Sequence, residues 1–290
     1  MLSRLGDFIL ARPALRRFSW RAGRWLYALA RGEERSNAIG HNGESYVQSR
    51  AIAAMSPGEP AVVIDIGANQ GDWTESLLNA LPAARRNKSM LRVEAFEPVP
   101  TTAETLRGRV ARMDTVGLVS INRVAISDDV GAARMAVMSE TGGTNSLNFD
   151  DALSREALGF VDVEKTTLAR FCDARGIDRI ILAKCDTEGH DLLVLRGARD
   201  LLAAGRIDVF QFEYNHRWII ARAFLKDVFE MIDGLPYSVA RIEPDHIEVF
   251  PEWHPELDRF FQSNYLLVRK PALAWFDVKE CRFDLSNTYA

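Results

Sequence analysis

Ala61-Val62-Val63-Ile64-Asp65-Ile66-Gly67-Ala68-Asn69-Gln70-Gly71 is the stretch that decides the fold. Its first half is an apolar, β-branched run broken by one acid. Such a run fits a strand covered on both faces, inside a parallel sheet. Gly67 and Gly71 then flank Asn69 in a turn. Glycine permits positive φ and lets a ligand come close to the backbone. Asp72 to Leu78 reads as the start of a helix. Strand, glycine turn and helix make a nucleotide-type site at a helix N-terminus.

The spacing argues for one ligand class over another. A dinucleotide fingerprint needs Gly-x-Gly-x-x-Gly. The turn here is Asp65-x-Gly67-x-Asn69-x-Gly71, without the middle glycine. A pyrophosphate would be repelled by Asp65. The sulfonium and amine of S-adenosylmethionine (SAM) would be attracted.

Upstream, Ser56-Pro57-Gly58-Glu59-Pro60 is a breaker that sets the start of the sheet. We therefore expect a basic amphipathic helical extension over 1–56, a sheet domain over 57–270 and a tail over 271–290. Residues 1–35 hold eight arginines against Asp7, Glu33 and Glu34. Leu5, Phe8, Ile9, Leu15, Phe18, Trp20, Trp25 and Leu26 are interleaved with them, and Pro13 splits the stretch into two helices. Such a segment either covers the protein's own core or lies as a peripheral contact on an anionic membrane.

Downstream, Leu91–Phe96 reads as a second strand closed by Glu97-Pro98. Glu97 then stands where an acid would hold two ribose hydroxyls. Leu118–Ile121 is the expected third strand, followed by Val124-Ala125-Ile126-Ser127-Asp128 and a hairpin turn at Gly131. Gly142 to Leu147 is a small-residue loop, either a mobile cover or a plain connection. Ile180–Ala183 is the fourth strand and runs into Lys184-Cys185-Asp186-Thr187-Glu188-Gly189-His190. Ile207–Phe212 is the fifth and ends at Glu213; Tyr237–Ile242 and Tyr265–Val268 complete the set. Strands alternating with helices predict an α/β fold with a doubly wound, mostly parallel seven-stranded sheet. Asp65, Glu97, Asp186 and Glu213 all stand at strand ends, where ligands bind in such sheets.

Composition narrows the classes. A net charge of -4 gives no reason to expect nucleic acid as a partner. Three cysteines without a Cys-x-x-Cys spacing disfavour disulfides and a zinc cluster, and suit the reducing cytoplasm. No apolar run is long enough for a membrane span, and arginines interrupt the N-terminal apolar residues where a cleavable signal would need continuity. No His-x-x-x-His spacing is present, and no metal is expected. Two other functions share such a sheet: an NAD(P)-dependent oxidoreductase or epimerase, and a non-catalytic nucleotide-binding protein. The missing glycine and the absence of Tyr-x-x-x-Lys speak against the first, and the crowded acids against the second.

Taken together, Asp65 to Gly71, Ala95 to Pro98, Val124 to Asp128, the loop ending at Leu147, and Lys184 to His190 resemble the FkbM-type SAM-dependent methyltransferases, as does Asn42-Gly43-Glu44. The resemblance covers about residues 42–268, and Cys185 departs from the usual aliphatic residue. It implies SAM as cofactor and methyl transfer to a hydroxyl of a small natural product, sugar or glycan. The residues expected at the cofactor are Asp65, Gly67, Asn69, Gly71, Glu97, Pro98, Val124, Ala125 and Asp186. For the chemistry we expect Asp186 as base, His190 as its rival, Glu213 orienting the acceptor, and Glu188 either in the site or at a helix start.

Overall fold

The structure is a computed structural model that describes residues 2–33, 36–56, 58–114, 116–139 and 143–289, with side chains from Gly6 onward. Glu34, Pro57 and Gly142, and the side chain of Leu5, lie outside the described residues. The chain runs α1 (Leu2–Leu10), α2 (Pro13–Ala30), α3 (Glu44–Ala53), β1 (Ala61–Ile66), α4 (Asp72–Ala80), β2 (Leu91–Phe96), α5 (Pro100–Met113) and β3 (Val119–Asn122). It continues through β4 (Ala125–Ile126), β5 (Gly131–Val137), α6 (Asp151–Glu156), β6 (Gly159–Thr166), α7 (Leu168–Arg175), β7 (Ile180–Cys185), α8 (Asp191–Gly197) and α9 (Arg199–Ala203). It ends with β8 (Ile207–Tyr214), α10 (Leu225–Met231), β9 (Tyr237–Ile242), β10 (Ile247–Phe250), β11 (Ser263–Arg269) and β12 (Val278–Glu280).

The strands at the centre are those with the most continuous apolar sequence. The main sheet has the order β12-β10-β9-β11-β8-β7-β1-β2-β3. β1 pairs in parallel with β2 on one side and β7 on the other. From β1 the chain winds outward to β3, then returns to β7 and winds the other way. Among the seven strands from β9 to β3, only β11, between β8 and β9, runs antiparallel. Alternate residues face opposite ways. Ile64, Ala183 and Phe210 meet Leu168, Leu195 and Val228 of the helices on one face. Val63, Leu182 and Val209 meet Val47, Trp73 and Leu77 on the other. Both faces are dry, which is why β1 and β7 lack the alternation of a half-wet strand. The reversal of winding lies between β1 and β7, and the crevice beyond their carboxyl ends is where such sheets take ligands.

The doubly wound sheet stands as expected, with two strands beyond seven. β10 pairs antiparallel to β9, and β12 adds to it in parallel. A separate three-stranded sheet has the order β4-β6-β5: β4 pairs in parallel with β6 and not with β5, so the hairpin expected at Gly131 is not formed.

The boundaries also shift. Residues 1–35 form one unit and 36–290 another. α3 belongs to the second, because buried Gln48 donates to the carbonyl of Trp73 (3.0 Å) and accepts from Ser76 Oγ (2.8 Å). The tail belongs there too: Cys281 is buried, the Phe283 ring lies on His254, and Tyr289 donates to Glu248. Among the described residues no helix is long and apolar enough to cross a membrane.

Candidate active site

Three strand ends are bound together past the last residues of the strands. Asp186 N–H donates to Ile66 O (3.0 Å), and Gly67 N–H donates to Phe96 O (3.0 Å). Gly67 sits at φ +75°, and a Cβ there would come within 2.0 Å of the Asp186 carbonyl oxygen. The glycine is thus required first by the chain's own close approach. Gly71 (φ +90°) opens α4, and a Cβ would strike Leu106 at 2.7 Å. It serves packing and does not line the cleft.

Beyond these ends lies an open cleft, about 610 Å³ with the solvent at its mouth included. Ile66, Gly67 and Asn69 line it from β1, and Phe96, Glu97 and Pro98 from β2. Val124, Ala125, Ile126 and Met135 form an apolar side. Gly143, Asn145 and Leu147 cover it, and Asp186, Thr187, Glu188 and His190 come from the exit of β7. Ser146 Oγ donates to Glu188 O (2.9 Å), and Asn148 Nδ2 donates to Gly189 O (2.7 Å). The small-residue loop is thereby a cover fastened over the β7 exit.

Asp65 does not reach the cleft. It is fully buried and accepts from Thr74 Oγ1 (2.6 Å), while Lys184 Nζ stands 3.7 Å away. Burial raises its pKa, opposed chiefly by Lys184. Its place is a brace between β1, α4 and β7, not a ligand contact. Lys184, overlooked in the sequence, is its partner. Burial works to strip its proton, but Asp186 (3.4 Å), Asp65 and Glu44 more than offset that, and the ammonium is held charged. Glu44, buried and raised by that burial, accepts from Asn42 and Gln211. The apolar run Ile180 to Ala183 carried the signal: a lysine ending a buried strand must be paired.

Glu97 does line the cleft. One carboxylate oxygen accepts from Val99 N–H (3.0 Å) and the other from Asn69 N–H (3.1 Å). Burial raises its pKa to about 7 against those two bonds. Asn69 is a non-glycine residue at φ +48°, a strained conformation of the kind that collects at binding sites. Its Oδ1, like Nδ2 of Asn145, is buried without a hydrogen-bond partner among the described residues. An acceptor and a donor left without partners on a cleft wall are groups that a ligand would satisfy.

The β7 exit concentrates the acids. Asp186 keeps 40% of its side chain exposed. Glu188 sits at φ +55°, a second strained residue, and Arg217 holds its carboxylate at 2.8 Å. Burial, then the charge of Asp186, raises Glu188 to about 7. Glu213 accepts from Asn215 and Gln262 and does not line the cleft. Burial, Asp186 and Glu188 push its pKa well up, so Glu188 and Glu213 resist ionising together.

His190 is not placed to be a base. Asn148 turns its Nδ2 to Gly189 O, which leaves Oδ1 facing His190 Nδ1 at 3.3 Å. Nε2 lies 3.0 Å from Ser127 Oγ, whose hydroxyl donates to Asp128 Oδ1 at 3.1 Å. Burial lowers the pKa of His190 to about 4. The ring is a buried, neutral strut, with a polar partner at each nitrogen. Among the described residues no three His, Cys, Asp or Glu are grouped to hold a metal ion.

The comparisons bear on this geometry. A family model described as "Methyltransferase FkbM domain" matches residues 65–263. No curated protein matches the chain. A solved methyltransferase FkbM from Methylobacillus flagellatus KT is 14% identical, with 82% of this chain and 49% of that chain covered and a TM-score of 0.48. This chain therefore spans about half the length of that protein. Cofactor-bound Rv0187 from MTB is 12% identical over 82% of each chain, with a TM-score of 0.44. Precorrin-6y C5,15-methyltransferase from Geobacter metallireducens GS-15 is 11% identical, covering 77% of this chain and 88% of its own, at 0.38.

Proposed function

The chain belongs to the FkbM methyltransferase family, and on that premise we propose that it methylates a hydroxyl oxygen of a sugar, glycan or small natural product. The family's methyl donor is S-adenosylmethionine. The residues present fit it. Glu97 keeps lone pairs for the ribose hydroxyls, the unpartnered Asn69 Oδ1 can accept from the amine, and the side from Val124 to Ile126 with Met135 suits an adenine face. The observation that carries the oxygen assignment is the pairing of Asp186 and Glu188 on the wall of that same cleft.

Bound SAM supplies a methyl group already activated for displacement. The chain must align an acceptor oxygen with it and take up a proton. Glu188, raised to about 7 beside Glu213, is poised to take that proton near neutral pH. Asp186, half-exposed at the cleft and beside Lys184, receives the hydroxyl. Arg217 fixes the Glu188 carboxylate, and the cover from Gly143 to Leu147 excludes water.

Calorimetry with SAM and separately with NADH tests the cofactor half: SAM should bind and NADH should not. Binding of NADH alone would overturn the reading. Labelled SAM offered with a panel of monosaccharides, glycans and hydroxylated metabolites tests the acceptor half. Label appearing only on nitrogen or carbon would remove the oxygen assignment and leave methyl transfer intact.

A further inference from the structure

α2 has no buried residue. Along it Leu15, Phe18, Ala22, Trp25 and Leu29 recur at steps of three and four, so they share one face. Phe18 is 70% exposed, Trp25 63% and the adjoining Leu26 55%. Side chains of that size gain free energy by leaving water, in proportion to the apolar area covered. Arg16, Arg17, Arg21 and Arg24 lie on the remainder of the helix together with the exposed rings of Trp20 and Tyr27, and the helix has no acid and no lysine. At 18 residues α2 is about 27 Å long, and its arginines exclude it as a span.

We propose that α2 lies flat on an anionic lipid bilayer, its Phe18–Trp25 face in the acyl boundary and its arginines among the headgroups. Charge complementarity selects this occupant. A second copy of the chain would bring the same arginines into opposition. A nucleic acid would pair with the arginines and leave Phe18 and Trp25 in water. An anionic bilayer satisfies both sides of the helix, as interfacial helices of this pattern do.

The full chain, mixed with vesicles of phosphatidylcholine and phosphatidylglycerol, should pellet with them at low salt and stay in solution with phosphatidylcholine alone. Roughly 1 M salt, where the screening length falls to about 3 Å, should release most of it. Phe18→Glu with Trp25→Glu should abolish pelleting. Arg16→Gln, Arg17→Gln and Arg21→Gln together should weaken it roughly a hundredfold, at about fivefold per arginine. SAM affinity, measured by calorimetry, should be unchanged in both variants and so show that the rest of the chain is folded. A full chain that stays in solution with anionic vesicles at low salt would overturn the proposal. So would pelleting that survives the Phe18/Trp25 change, or the same change dissolving a dimer seen by sedimentation velocity without lipid. Tighter binding to single-stranded RNA than to the vesicles would also overturn it.

Discussion

The strand ends on the two sides of the cleft use their acids in opposite ways, with Asp65 and Glu213 standing behind its lining. On the β1–β2 wall the carboxylates are spent on the chain: Asp65 holds Thr74 and faces Lys184, and Glu97 ties the backbones of Asn69 and Val99. On the β7–β8 wall, Asp186, Glu188 and Glu213 crowd each other, with Lys184 and Arg217 as the nearby cations. A carboxylate that fixes backbone makes a rigid cradle. Glu97 and Glu188 are both raised to about 7 chiefly by burial, but on the second side the charge of neighbouring acids is the next largest cause, ahead of any opposing one. The difference separates binding from chemistry within one cavity.

If that division is right, the largest effect comes from the second wall. Glu188→Gln should cut turnover by about 10²–10⁴-fold, the span of a general base, while SAM affinity stays within about twofold. Asp186→Asn should cut turnover in the same direction. Single-turnover assays with saturating SAM measure both. A near-normal Glu188→Gln rate would take the proton-transfer role away from that wall.

The next effect concerns both walls and is read from stability against pH. Glu97 and Glu188 are raised from 4.5 to about 7, and Asp191 from 3.8 to about 6, each chiefly by burial. Across that window the folded chain binds more protons than the unfolded one, so stability without ligand should fall as pH rises. His190, lowered from 6.5 to about 4, works the other way, but as one group against three. Glu97→Gln should flatten the fall by on the order of 3 kcal/mol between pH 4.5 and 7. Urea unfolding at a series of pH values would show it, and an unchanged slope would mean that Glu97 is not held protonated.

A smaller effect sharpens the role of the first wall. Glu97→Ala should weaken SAM binding by about 1.5–3 kcal/mol, the value of a hydrogen bond to a charged group, and leave the rate at saturating SAM nearly intact. The smallest belongs to His190. As a strut it should lose about 1 kcal/mol of stability on change to Gln, with turnover within tenfold of the parent. A hundredfold loss of turnover with normal SAM affinity would restore it as a base.

The strand ends were legible because β1, β2, β7 and β8 are covered on both faces, and continuous apolar runs betray such strands. Glu97, Asp186 and Glu188, which stand at or just past those ends, line the cleft. Which acids face the ligand was not legible. Asp65 points into a network closed by Thr74 and Lys184, and strand position alone does not tell a brace from a contact. The surroundings of His190 were not legible, because its partners Ser127 and Asn148 come from segments 63 and 42 residues away. β10 and β12 escaped because one is four residues long behind a proline turn, and the other is fully exposed.

The contact between Gly67 and the Asp186 carbonyl has a mechanical meaning. A joint tight enough to exclude a methyl group, flanked by hydrogen bonds from Asp186 to Ile66 and from Gly67 to Phe96, leaves no hinge between the cradle and the reacting wall. The cavity is one rigid jaw. Traffic of donor and product must then pass under the fastened cover, and its latches, Ser146 on Glu188 and Asn148 on Gly189, sit on the very backbone that carries the proton acceptor. Both latches bond the backbone of Glu188 and Gly189, so a displacement of the loop would loosen the segment that carries Glu188.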